Sequence, residues 1–351
     1  MVPALPPPVA GRLLRLRRDP QDRRALHRRG RGHPAGRGAA RPAARAAGGG
    51  GRLPLLPAYA ADQAYWEERF AGHTEPATLA GRTAPPSWGH HRATAALDAD
   101  VEAELRAVAR RARSSWPRAF TAAVAAYVHR MTGAAEVVLG FPVGVRESAA
   151  AQNAPGMVAN IVPLRLAVRG DMTLEELTGG AAAEIKAALR HQRYRQEELG
   201  HRLRLTGTGR RLYGPVVNIM PFDYELRFGP SLGTMRNLSN GPVLDLSIAS
   251  YGGHPRRLGT IGVDVDANPA LYTAEEAAVH LDRFLHLTAR LVSGDTPIGR
   301  AGLLLPGERA RVLTRGDSLA PRTAPTSSPA SGRWPGGPRT PRRWWCPAGP
   351  G

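Results

Sequence analysis

Apolar residues fall into helical and strand periods only in the middle of this 351-residue chain. Asp98 or Asp100 is placed to cap a helix running to about Arg113, with Val101, Leu105 and Val108 on one stripe. Ser115, Trp116 and Pro117 open a second helix, where proline suits the first turn. Phe120, Val124, Tyr127 and Met131 give it an apolar face, and Gly133 is placed to end it. Residues 137–140 and 161–168 read as short buried strands, and a helix is predicted over 174–192. Four β-type stretches follow at 216–221, 235–238, 244–251 and 260–266. A last amphipathic helix is predicted over 274–292, capped by Thr273, with Glu275 and Glu276 at its positive N-terminus. This order predicts an α/β sandwich, helices layered on a mixed sheet, without internal repeats.

Composition changes the picture at the two ends. Residues 1–57 are almost wholly Arg, Ala, Gly, Pro and Leu without a sustained period, and are expected to be disordered. The tail beyond Leu319 is rich in Pro, Ser, Arg and Gly and carries the same expectation. The net charge of +19 belongs to these ends: thirteen Arg against Asp19 and Asp22 in the first, five Arg and no acid in the second. That leaves +3 for residues 58–318, so the folded part lacks the basic footprint of a nucleic-acid binder. A nucleic-acid reading of the Arg-rich ends also lacks aromatic stacking positions among the N-terminal arginines. Lys186 is the only lysine, a bias expected of a GC-rich gene. The single cysteine, Cys346, excludes an internal disulfide and a multi-cysteine metal site, and suits a reduced cytoplasmic setting. No run of about 20 apolar residues suggests a membrane span, and the basic, Pro-rich N-terminus is no secretory signal. No metal, ATP or nucleotide motif occurs in the ordered region.

Short motifs carry the reading further. They are AYWEERF around Tyr65 and Trp66, WPRAFTAAVAAYVHRMTG from Trp116, EVVLGFPVGVR ending at Arg146, and PGMVANIVPLRL at 155–166. RHQRYRQEEL at 190–199, YGPVVNIMPFD at 213–223, NLSNGPVLDLSI at 237–248, DANPALY at 266–272 and LLLPGER at 303–309 complete the series. In this order they resemble the condensation domain of nonribosomal peptide synthetases, over about residues 58–313. The NIMPFD and NGPVLDLSI pair is most similar to the enterobactin-type siderophore synthetase subtype.

The resemblance implies a chloramphenicol-acetyltransferase-like fold: two sandwich lobes in a V, with amide-bond formation at their interface. Residues 58–84 would be a remnant of the first lobe and 85–313 the second, with 1–57 and 314–351 outside the fold. Carrier proteins would deliver both thioesters on phosphopantetheine arms, beside an adjacent adenylation domain, and the chain itself would bind no cofactor. The family's HHxxxDG signature, whose second His positions or deprotonates the acceptor amine, is absent. His90 and His91 precede Arg-Ala-Thr-Ala-Ala, lack the Asp and Gly, and read as a strand approach or loop. His191 reads as a helix-end residue. No catalytic residue is therefore assigned.

Other site residues follow from the same resemblance. Arg146 is similar to a structural Arg that pairs with the signature Asp and ties the lobes together; without that partner a solvated or re-paired Arg is the alternative. Asn218 lies on a strand that in the family borders the substrate tunnel, with a backbone-satisfied Asn as the alternative. Asp245 and Ser247 alternate on one predicted strand and are expected to face one side, near that tunnel. Leu244 and Arg236 depart from the acid and the His common at those places, and the default expectation for Asp245 is structural.

The ends and the missing motif are expected to share one origin in a GC-rich gene, either frameshifts in the gene or errors in its sequencing. Codons for residues 50–57 can be chosen so that a neighbouring frame reads as family sequence, and 334–346 is compatible with the opening of an adenylation domain. The expectation is a truncated condensation domain, inactive or weakly active by itself, with a non-catalytic carrier-docking module as the alternative.

Overall fold

The computed structural model describes residues 57–72, 75–145, 159–205, 207–221, 226–229, 231–233, 237–252 and 261–317. The two Arg-rich ends up to residue 56 and from 318 lie outside these, as do Cys346 and Arg146. The chain divides into two units, Met1–Leu305 and Pro306–Gly351.

In the first unit the centre is the helix α3 (Trp116–Thr132), which follows α1 (Pro57–Arg69) and α2 (Ala99–Arg111). Every residue of α3 from Ala119 to Val128 is buried. Its many alanines let neighbours approach closely while Phe120, Val124 and Tyr127 fill the gaps between them. Pro117 sits in the first turn, and Gly133 ends the helix at φ 74°, a left-handed conformation that costs glycine little. Asp98 occupies the cap of α2, yet its side chain accepts no first-turn hydrogen bond. The helices α4 (Leu174–Arg190) and α6 (Ala274–Val292) each start with a complete capping box, Thr173 with Glu176 and Thr273 with Glu276. Between them lies the short α5 (Gln196–Arg202).

The strands are β1 (His91–Ala96), β2 (Glu136–Gly144), β3 (Ala159–Ala167), β4 (Val216–Met220), β5 (Leu226–Phe228), β6 (Ser231–Gly233), β7 (Leu246–Gly252) and β8 (Ile261–Ala267). Six of them form one sheet in the order β1-β8-β7-β4-β2-β3, and β5 and β6 form a separate hairpin. The sheet is mixed: β1–β8, β7–β8 and β2–β3 are antiparallel, whereas β2–β4 and β4–β7 are parallel. Helices α2, α3, α4 and α6 contribute to one core with Val217, Leu246, Ile248, Val263 and Val265. A second cluster, including Tyr59, Trp66, Phe70, Leu164, Tyr194 and Leu199, joins α1 and α5 to β3.

The predicted α/β layering is therefore present, with three differences. The stretch predicted at 235–238 is irregular at Asn237 and Leu238, where Asn237 turns to polar partners rather than to a neighbouring strand; residues 234–236 lie outside the described set. The strand predicted from 244 begins at Leu246, so Asp245 precedes it. The apolar period did not predict α1, α5, the β5–β6 hairpin or β1, whose HRATAA sequence depends on full pairing with β8. In the second unit one helix, α7 (Glu308–Asp317), is described.

Strand β3 is a sheet edge, and an unpaired edge invites pairing with another chain. Here side chains occupy it. The Arg165 N–H donates to Glu184 Oε1 at 3.0 Å, and Arg69 donates to the Arg165 carbonyl at 3.4 Å while pairing with Glu184 at 2.5 Å. Asn160 Oδ1 accepts the Ile161 N–H at 2.9 Å. Replacing both Arg69 and Glu184 by alanine is expected to produce concentration-dependent self-association in analytical ultracentrifugation, with secondary structure retained. A variant that sediments like the parent at every concentration would contradict this protective role.

Candidate functional site

Alternation along β1, β8, β7 and β4 puts apolar residues against the helices and a polar set on the opposite face. The register fixes the members of that set. Asp266 lies across from Arg92 and Ser247, and Asp264 across from Thr94 and Ala249. Asn218 lies across from Ala249, and Met220 across from Tyr251. These residues share one face of four strands.

Two buried carboxylates organise it. Arg92 donates from Nε to Asp266 Oδ1 at 2.6 Å and from Nη2 to Oδ2 at 2.7 Å, a bidentate pair that holds both groups in one plane. The same guanidinium donates to the Asn237 carbonyl, and hydrogen bonding to Asp266 raises its pKa above the ordinary value. Asp264 Oδ1 accepts from Thr94 at 2.8 Å and from Tyr251 at 3.2 Å. The Tyr251 ring lies over Gly262, where a Cβ would come within 2.3 Å of it, so glycine is what permits this packing. Asn240 donates to Asp266 Oδ2 at 3.2 Å, and its Oδ1 accepts from Asn237 at 2.6 Å and Asn218 at 3.2 Å. The result is a continuous chain from Arg92 on the edge strand to half-exposed Asn218 near the middle of the sheet. Trp88 and Leu238 stand largely exposed, close in sequence to His90 and Asn237 of this region.

A second buried polar chain lies behind it. Asp245 Oδ1 accepts from the Tyr272 hydroxyl at 2.7 Å, and burial pushes the Asp245 carboxyl up from its usual pKa. The Tyr272 ring meets His280 edge-on, and the Tyr127 hydroxyl and His280 Nδ1 are 2.7 Å apart. Burial lowers the His280 pKa to about 4. Arg211 donates to the carbonyls of Ala84 and Leu244, and Asn268 bridges Pro85, Val243 and Leu244. These contacts join the segment before β1 to the start of β7.

The structure thus brings Asn218 and Ser247 onto the same sheet face, and the buried Asp245 carboxylate accepts from the Tyr272 hydroxyl. Asp245 stands one residue before β7, its carbonyl accepting the Asn268 N–H at 3.0 Å in the register of the β7–β8 pairing while the Tyr272 hydroxyl engages its carboxylate. His91 opens β1, and His90 Nε2 stands 3.7 Å from Asp266 Oδ1. His191 follows the last turn of α4; its Nδ1 is 2.8 Å from Asp62 Oδ1, and its ring stacks on Tyr65. Sequence reasoning missed Arg92, Asp264 and Asn240. The alternating VDVDA of β8 was the available signal, since acids recurring every second residue mark one polar face. Among the described residues no group of His, Cys, Asp or Glu converges to hold a metal ion.

Residues 56–313 match the family described as Condensation domain. The chain is 43% identical over 265 residues to a dimodular nonribosomal peptide synthase of Bacillus subtilis (strain 168), covering 75% of this chain and 11% of that protein. It is 29% identical over 260 residues to enterobactin synthase component F of Escherichia coli (strain K12), covering 73% and 20%. The solved first condensation domain of the calcium-dependent antibiotic synthetase superimposes with a TM-score of 0.72 at 31% identity, over 80% of this chain and 62% of that one. The chain therefore spans a small part of these synthetases and less than two thirds of the solved domain. It belongs to the condensation-domain family of nonribosomal peptide synthetases.

Proposed function

We propose that this chain supplies one substrate-facing lobe of a site that joins two carrier-bound thioesters through an amide bond. The observation that carries the reading is the ordered polar network from Arg92 to Asn218, built on the face of β1, β8, β7 and β4 opposite the core of α2, α3, α4 and α6. A sheet face meant only for water has no need of buried, bidentate-paired carboxylates, which are expensive to desolvate.

In the reaction the acceptor's amine nitrogen attacks the donor thioester carbonyl. The C–N bond forms, the C–S bond breaks, and the proton lost by nitrogen is returned to the leaving thiolate. Nothing in that balance requires a metal or a nucleotide, and the phosphopantetheine arms come with the carrier proteins. What it requires is a base or an orienting imidazole. The sequence holds no HHxxxDG; His191 is engaged with Asp62 and Tyr65, and His90 stands beside Asp266. The chain by itself accordingly binds and orients substrates without turning them over, and an adenylation domain would load its carriers.

The test is to mix the full chain with two carrier proteins loaded as aminoacyl thioesters, and to follow complex formation and dipeptidyl thioester by mass spectrometry. Complex without product is expected. Product from this chain alone would overturn the inactive reading, and absence of both complex and product would overturn the assignment as a whole. The exposed Trp88 and Leu238 favour a second reading, a surface that docks a carrier without contacting its substrate.

A further inference from the structure

The hydrogen-bonding polarity of the network can be followed atom by atom. Asp266 is held in both planar directions by Arg92, so the position facing Asn240 is an acceptor and needs a donor. The Asn240 amide group fills it at 3.2 Å. Asn240 Oδ1 therefore points the other way. A second constraint agrees: Asn237 Oδ1 accepts the Ser239 N–H at 3.2 Å, which leaves the Asn237 NH2 to donate to Asn240 Oδ1 at 2.6 Å. With Asn240 fixed from both sides, Asn218 meets an acceptor and presents its own NH2 to it at 3.2 Å. Reversing Asn218 would set oxygen against oxygen beside an ion pair. Among the described residues no donor is seen toward Asn218 Oδ1.

We infer that Asn240, locked by the Arg92–Asp266 pair, turns Asn218 so that its Oδ1 is offered as a hydrogen-bond acceptor, and that this face selects a donor group of its substrate. The selected chemistry is a hydrogen-bond donor on the acyl part of the substrate, as the amine of an aminoacyl thioester is; a donor-free acyl chain or a carbonyl gains nothing there. Asn218 is the specificity residue, and Asn240 is a positioning residue that does not touch the ligand. The inference rests on the reading of this face as a substrate surface.

Two thioester probes test it with the full chain: leucyl-N-acetylcysteamine, which has a free amine, and 4-methylpentanoyl-N-acetylcysteamine, which lacks it. One hydrogen bond to an otherwise unpaired acceptor corresponds to about a tenfold preference for the amine probe in calorimetric titration. Asn218→Leu is expected to bind both probes alike. Asn240→Leu is expected to lose the preference too, whereas Asn240→Asp, which still accepts from Asn218, keeps the preference even as repulsion from Asp266 lowers its melting temperature. Circular dichroism establishes that each variant is folded. Equal binding of the two probes by the parent chain would overturn the inference and leave the substrate surface standing. Preference retained in Asn240→Leu would overturn the positioning role. Binding of neither probe by the folded parent would overturn both the inference and the surface reading.

Discussion

Replacing Asn268 with leucine is expected to lower the free energy of unfolding by about 3 to 5 kcal/mol, the largest loss from any single polar change in the lobe. The residue is fully buried. Its amide donates to the carbonyls of Pro85, Val243 and Leu244 at 2.9, 3.1 and 3.1 Å, and its Oδ1 accepts the Ala270 N–H at 3.0 Å. Leucine matches the volume but gives up all four bonds: the Pro85 carbonyl and the Ala270 N–H lose their Asn268 partner, and the Val243 and Leu244 carbonyls keep Ser87 and Arg211 as donors. The tie between the segment before β1 and the start of β7 would then rest on Arg211 and on the Ser87–Val243 backbone pair. Urea denaturation followed by circular dichroism measures the effect; a loss under about 1 kcal/mol would show that these carbonyls find other partners.

Acid sensitivity is the second large expectation. His280 is buried between Tyr127 of α3 and Tyr272, with Arg283 and Glu276 on its own helix. Desolvation by burial is the main cause of its lowered pKa, and Arg283 adds to it. In the unfolded chain the imidazole takes a proton near the ordinary value of 6.5, but in the folded lobe only near about 4. The unfolded state thus binds more protons between these values. The stability contributed by neutral His280 is complete above pH 6.5 and is lost as pH falls toward 4. The loss is about 2 to 3 kcal/mol by pH 4.5. Asp245 acts in the opposite sense, because its raised pKa favours the folded state on acidification. Comparing the parent with His280→Leu isolates the imidazole: the variant is less stable at pH 7, having lost the Tyr127 contact, but its stability declines less on acidification. Parallel pH profiles for the two proteins would contradict this assignment.

The sequence made the helix layer legible because its apolar periods are strong. The final helix was predicted at 274–292 and is observed as Ala274–Val292, since Thr273 and Glu276 announce its start and Phe284, Leu287 and Leu291 define its buried stripe. Strands β2, β3, β4 and β8 were placed to within a few residues by runs of Val, Leu and Ile. Strand β1 was not, because Arg, Thr and three alanines show no apolar alternation and pair only where β8 is present. The site was legible in part. Asn218 was singled out by resemblance and stands at one end of the network, but the Arg92–Asp266 pair joins residues 174 apart in sequence. Neither residue says alone that it is buried against the other. Asp245 illustrates another limit: alternation placed it beside Ser247, but nothing near it in sequence announced the Tyr272 hydroxyl, from a distant turn, as its partner.

The central claim is that substrate, and not only its carrier, lies on the sheet face holding Asn218. Photolabelling with a diazirine-bearing acyl-pantetheine thioester, followed by peptide mass spectrometry of the full chain, tests this most directly. The account predicts adducts on β4, on β7 around Ser247 and Tyr251, and in residues 237–243, reduced by excess unlabelled thioester. Adducts confined to the helix layer of α2, α4 and α6, or not competed by thioester, would contradict it.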